Sequence, residues 1–297
     1  MTSLPWIRAT VRTAVVSRVH GGDLHLERYS GPPGDPGLMG ADGVVWRVHG
    51  HPAAMLTGGF AALMLQSLHP LAMAAVDDHS DFRTDPLGRL HRTVGFVTAT
   101  TFGSTAAARE AIAAVRRVHT RVTGTAPGGR PYHARDPHLL TWVHVAEVAC
   151  FLAGYQRYAA APLTAAERDD YYARVAVTAE ELGARDVPRS AREVARYLNR
   201  VRPELAATPA ALEALRFLRS FGRDRAERAA VTVLMNGAIA LLPDWARDSL
   251  GIHRPRAVRA GWDAPVTRAL GGLLVWACRP SEIVTTARLR VAAAPSA

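Results

Sequence analysis

Asp77-Asp78-His79-Ser80-Asp81-Phe82-Arg83-Thr84-Asp85-Pro86 opens the stretch that decides how this chain folds, and Asp136-Pro137-His138-Leu139-Leu140-Thr141-Trp142-Val143-His144 closes it near Glu147. Asp85-Pro86 and Asp136-Pro137 each set a carboxylate before a proline. A carboxylate at the N-cap accepts a free backbone N–H, and proline at the first helical position has no N–H to lose, so both dipeptides predict helix starts. Between them run Arg89-Leu90-His91-Arg92-Thr93 and Val115-Arg116-Arg117-Val118-His119. Half of the chain's twelve histidines lie between Asp77 and Glu147, flanked by apolar helical segments, so any chemistry is expected here.

Working outward, apolar residues from Pro52 onward recur at helical spacing, and period-two alternation is scarce. The spacing predicts helices over 53–68, 70–76, 86–102, 105–123, 136–160, 164–182, 188–201, 208–219, 223–241, 243–249 and 262–277. Ser104, Thr164 and Ser190 supply further caps. Residues 1–30 predict a short helix and a polar link, and Gly31 to Gly37 is a loop, because its prolines and glycines hold neither helix nor ladder strand. Val44-Val45-Trp46-Arg47-Val48 hints at a strand, but a connector into a helix is preferred. Thr123 to Pro131 reads as a loop and hinge. The expected organisation is an N-terminal extension and loop over 1–37, one all-α domain over 38–290, and a flexible tail over 291–297, with no internal repeat.

At 297 residues and 48% apolar, the chain is long enough for one large core. All 36 cationic residues are arginine, which excludes Schiff-base lysines and a Walker A loop. The net charge of +10 raises a helical, arginine-rich nucleic-acid-binding regulator as an alternative, yet the charge is spread over many helices instead of one recognition helix, and no nucleic-acid partner is expected. Arginine forks equally suit buried carboxylates. Cys150 and Cys278 stand far apart in apolar contexts, which favours a reducing cytoplasm. No secretory signal is visible in Met1 to Val19. Pro52 to Val76 is apolar, but Gln66, Ser67, His69 and Pro70 predict a buried helix broken at His69-Pro70 instead of stable membrane insertion.

His119 lies at the edge of a helical face marked by Ile112, Val115, Val118 and Val122, with Arg116, Arg117 and Arg121 around it. Such an imidazole suits either half-buried packing or axial ligation of a haem, whose propionates arginines can reach. His144 shares a face with Leu140 and Val148, one turn before Glu147, and reads equally as a satisfied core histidine or a site residue. His138 and His144 are six apart, His51 and His69 are remote from them in sequence, and His-Glu-x-x-His is absent, which disfavours zinc-protease and di-iron readings. Asp77, Asp78, His79, Asp81 and Asp85 read as a polar turn with helix caps. Phosphate-loop, dinucleotide, nucleophile-elbow and kinase signatures are absent.

The ordered run from His79 to Thr93, followed by Thr100-Thr101-Phe102-Gly103, Val118-His119, Ala134 to His144 and Leu241-Leu242-Pro243-Asp244-Trp245, resembles the MpaB-like oxygenase family, which includes the catalytic domain of latex clearing protein, the rubber oxygenase. The resemblance covers roughly residues 40–255. It implies an all-α, globin-related domain around a b-type haem pocket, with iron held by His119. It places Arg89, Arg92 and Thr93 on the positions of a distal Arg-x-x-Lys-Thr motif, with Arg89, Arg92 and Arg116 available to propionates. It implies an oxidoreductase, oxygenase or oxidase, that uses dioxygen or peroxide on a small apolar substrate, with a role in secondary metabolism. His144 is then left for substrate or for support of the ligand, and His79 or His144 for proton transfer. Arg92 departs from the motif's lysine: a guanidinium stays protonated and cannot bind iron. A haem-less binding scaffold is a further alternative. Cleavage, hydroxylation and dehydrogenative coupling all stay open as the reaction. Leu270, Leu273, Leu274 and Trp276 are expected to cover the core, with a homodimer face as the alternative.

Overall fold

The computed structural model describes residues 3–293 and is 71% helical, with one two-stranded sheet. Helices α1 (Ser3–His20), α2 (Glu27–Ser30) and α3 (Val44–His49) lead into α4 (Pro52–Gln66), α5 (Pro70–His79), α6 (Pro86–Phe102) and α7 (Thr105–His119). Strands β1 (Thr123–Thr125) and β2 (Pro131–His133) precede α8 (Pro137–Tyr158), α9 (Ala165–Leu182) and α10 (Ala191–Val201). A 3-10 turn at Arg202–Glu204 leads to α11 (Pro209–Ser220), α12 (Arg225–Ile239), α13 (Asp244–Ser249), α14 (Arg256–Val258), α15 (Ala264–Cys278) and α16 (Glu282–Ala292).

The caps do what their chemistry predicts. Asp85 accepts from the Gly88 N–H at 2.9 Å and Asp136 from that of His138 at 2.9 Å. Ser104 and Ser190 accept from Ala107 and Glu193, and Thr164 forms a reciprocal box with Glu167. Each such cap is worth about 1 kcal/mol.

At the centre α4 and α8 lie antiparallel along most of their length. Gln66 at the end of α4 donates to the Val143 carbonyl at 2.9 Å, and Trp142, wholly buried, donates back to the Gln66 carbonyl. At the other end Gly154 meets Ala54. The backbones touch: a Cβ on Gly58 would come within 2.8 Å of the Cys150 carbonyl oxygen, and one on Gly154 within 2.7 Å of that of Ala54. Around this pair, α12 and α15 pack on α4, α9 packs on α8, and α3 bridges α4, α6, α8 and α9. The α6–α7 hairpin closes the side against α3 and α9, while α1 crosses α6 and α15.

Several elements depart from the sequence reading, among them Val44–His49, read as a connector and found to be helix α3. Helix α7 stops at His119 instead of 123, because Gly124 and Pro127-Gly128-Gly129 cannot continue it, and the segment read as a loop forms a hairpin with Thr123 opposite His133. The first helix, α1, is 18 residues long instead of short. Helix α16 was not anticipated, because its buried face is Ile283, Ala287 and Arg290, with an arginine where an apolar residue would signal a core helix. Arg290 is 2% exposed and donates to the carbonyls of Tyr29, Asp35 and Phe102, so it closes the C-terminal ends of α2 and α6. Part of the segment read as a frayed tail, residues 294–297, lies outside the described residues.

The break at His69-Pro70 is present, with α4 and α5 bent by 105°. No single described helix is long and apolar enough to cross a membrane. Leu274 is buried in the core, whereas Leu273 and Trp276 remain exposed.

The touching helices predict opposite signs for two neighbouring substitutions. Gly154→Ala is expected to cost about 1–3 kcal/mol, since neither backbone can retreat. Gly59→Ala, one residue along from Gly58 and facing open space, is expected to gain up to about 1 kcal/mol from helix propensity. Denaturant unfolding midpoints of the two variants check both.

Candidate functional site

Helix α8 turns one face toward α4 and another toward α3 and α9. Helical spacing puts Leu140, His144 and Glu147 on this second face. Protein encloses His144 and Glu147, yet each keeps part of its surface uncovered and neither hydrogen-bonds to the described residues. Burial holds the His144 imidazole neutral, lowering its pKa to about 4, and raises the Glu147 carboxyl to about 7. The cause is the same for both, because a charged form loses its hydration without gaining a partner.

His49, the last residue of α3, completes the group. One ring nitrogen lies 2.7 Å from Thr101 Oγ1 on α6 and the other 3.0 Å from the Tyr171 hydroxyl on α9. Its ring stands edge-on to Phe151 and Tyr171. Burial, with the nearby His144, lowers its pKa to about 3. Burial beside Glu147 lifts the Cys150 thiol to about 12, and Tyr171 and Tyr172 are raised as well. His49, His144, Cys150, Tyr171 and Tyr172 are therefore uncharged at neutral pH, and Glu147 alone of this group titrates there. Chemically, the arrangement offers an imidazole lone pair with no protein donor and a carboxyl poised to give or take a proton. Helix α4, pressed on the other face of α8, adds no titratable group to it.

The residues singled out from sequence fall in two other places. His119 ends α7, half-buried, without a hydrogen-bond partner among the described residues; burial and the neighbouring His133 lower its pKa. Arg116, one turn earlier, reaches the Glu181 carbonyl on α9 at 3.3 Å. At the start of α6, Arg89 is half-buried, donates to Ser80 Oγ at 2.6 Å and lies beside the Phe82 ring. Arg92 is exposed, 3.5 Å from Asp85, and Thr93 is exposed with its hydroxyl bonded back to the Arg89 carbonyl. His79 is exposed at the end of α5, 3.0 Å from the Thr123 carbonyl. Arg89 and His79 thus share one corner through Ser80. His144 stands apart in the interior, and no hydrogen bond or ring contact joins it to His119 among the described residues.

The acidic run, read as a polar turn with helix caps, is a turn only from Ser80 to Asp85, since Asp77, Asp78 and His79 end helix α5. Asp77 pairs with Arg83, Asp78 accepts from the Tyr132 hydroxyl, and Asp85 caps α6. Sequence reading missed His49, Thr101 and Tyr171. They come from three elements: His49 and Thr101 stand near the ends of α3 and α6, while Tyr171 lies within the charged helix α9, where nothing local marks it.

A family model described as ER-bound oxygenase mpaB/B'/Rubber oxygenase, catalytic domain, matches residues 46–276. No curated protein and no solved structure matches the chain.

A carboxyl raised from 4.5 to about 7 by the fold carries no penalty below pH 4.5, a growing one between 4.5 and 7, and a constant one above. Glu147→Gln removes that penalty. Relative to the parent, the variant is expected to gain about 2–3 kcal/mol in stability between pH 5 and pH 8.5. Chemical denaturation of both proteins at the two pH values measures the difference, and a constant offset contradicts it.

Proposed function

The chain belongs to the family of the mpaB/B' and rubber oxygenase catalytic domain, and on that footing we propose that it is a haem b-dependent oxygenase or oxidase of a small, largely apolar organic molecule, with His119 as the axial ligand. The family match over residues 46–276 carries this reading.

The donor chemistry fits such a group. An axial ligand must be a neutral imidazole with a free lone pair, and His119 is half-buried, kept neutral by its surroundings and without a hydrogen-bond partner among the described residues. Arg116, one turn away on the same helix, would supply a cation to a propionate carboxylate. Of the triplet Arg89, Arg92 and Thr93, Arg89 is the one withdrawn from solvent, and it would supply a hydrogen-bonding cation to the group. Arg92 and Thr93 serve at the rim. Haem, when bound, supplies the activation of dioxygen or peroxide.

The chain's own residues do the rest. Glu147, raised to about 7, is the group of this interior that gives or takes a proton near neutral pH, while His144 one turn away stays neutral. His49, fixed between Thr101 and Tyr171, keeps the neighbouring wall rigid and uncharged. Phe151 and Val148 on α8 are packed into the core beside this group and exclude water from it.

Visible absorption spectra of the purified parent, oxidised and reduced, beside His119→Ala and His144→Ala expressed with ample haem, test the reading. A Soret band that shrinks or shifts in His119→Ala and persists in His144→Ala is expected. A parent that stays colourless after haem addition overturns the haem assignment. A band lost only in His144→Ala overturns His119 as the ligand.

A further inference from the structure

His69, placed in the link between α4 and α5, was remote in sequence from the other histidines. In space it lies beside His138, with ring centroids 5.9 Å apart and planes at 66°. Glu204, in the turn after α10, reaches between them. Its Oε2 is 2.7 Å from His138 Nε2 and 3.7 Å from His69 Nε2. One ligand atom from each of the three residues falls within 4.8 Å of the others.

We propose that His69, His138 and Glu204 form a site for one divalent transition-metal ion of the zinc class, separate from the interior group on α8. A tetrahedral zinc with bonds of about 2.0–2.2 Å holds its ligand atoms about 3.3 Å apart. Two of the three separations, 2.7 and 3.7 Å, fall on either side of that value and the third is within 4.8 Å, so adjustment of the exposed His138 and Glu204 side chains toward His69 closes the site. Two imidazoles and one carboxylate select zinc, cobalt or ferrous ions over calcium and magnesium, which take all-oxygen sets.

The second observation is His69 itself. It is 1% exposed, and neither ring nitrogen has a hydrogen-bond partner among the described residues. Buried polar atoms without partners are rare and ask for a ligand. Here Nε2 is aimed at the very oxygen that His138 binds. An ion at this point would give His69 a partner and leave one position, on the side of the half-exposed His138 and Glu204, to water.

The backbone holds the three donors in place before any ion arrives. His69 precedes Pro70 at the bend and accepts from the Met73 N–H, at the start of α5. The His138 N–H is bound by the Asp136 cap. The Glu204 segment is tied to the His69 segment by a hydrogen bond from the Ala206 N–H to the Leu68 carbonyl at 2.8 Å. An ion would join three segments distant in sequence at one end of the α4–α8 pair. The proposal does not depend on haem.

Zinc titration of the full-length, chelator-treated protein by calorimetry, with thermal unfolding in parallel, decides it. The expected result is one zinc bound per chain, a melting temperature that rises with zinc, and at least tenfold weaker binding in Glu204→Gln and His138→Ala. His144→Ala is expected to bind zinc as the parent does. If His69→Ala misfolds, Glu204→Gln still decides, because Glu204 is exposed. A parent that binds no zinc overturns the proposal. So does binding that Glu204→Gln and His138→Ala leave unchanged, or that only His144→Ala abolishes.

Discussion

The contact of two backbones, α4 against α8, is the constraint on which the molecule depends. Glycines at 58 and 154 let the helix axes approach until main-chain atoms touch, and a tight pair of this kind behaves as a single rigid beam. Two of the polar groups described above are indexed to it. The free face of α8 presents His144 and Glu147 to the interior, and the end of the beam, where α4 bends into α5, presents His69 beside His138. A displacement of either helix would alter both places at once. Core packing and site geometry are thus one requirement.

Polar groups inside this core survive by giving up charge. His49, His51 and His144 are all pushed down by burial, while Glu147, Cys150, Tyr171 and Tyr172 are pushed up. Each shift opposes ionisation, which is the expected response of a low-dielectric interior that offers few counter-charges. The arginines divide differently. Several are spent on visible structural duties, such as Arg189 against Glu180, Arg254 against Asp263 and Arg290 against three carbonyls. A chain without lysine can place cations at such positions because a guanidinium satisfies several acceptors in one plane.

Helix starts were legible because their chemistry is local: Asp85-Pro86, Asp136-Pro137, Ser104, Thr164 and Ser190 cap where their types require. The family was legible because its motifs are ordered along the chain. What escaped reading is whatever depends on distance through space. Arg290 looks like a surface residue until Tyr29, Asp35 and Phe102 surround it. His69 and His138 look unrelated until the bend brings them together with Glu204. His49 looks like the end of a short apolar segment until Thr101 and Tyr171 hold it. In each case one polar residue from each of several elements makes the group, and no spacing in the sequence encodes such a meeting.

Arg290 has a bearing on the order in which the molecule can be finished. It lies 188 residues downstream of Phe102, whose carbonyl it satisfies, and 261 downstream of Tyr29. A chain emerging from the ribosome therefore exposes the ends of α2 and α6 long before their donor exists, and those ends meet water until α16 arrives. Synthesis proceeds from one end, but completion requires the late segment to return to the earliest helices. The late helix acts as a clasp, and the protease resistance of nascent intermediates would mark the moment it shuts.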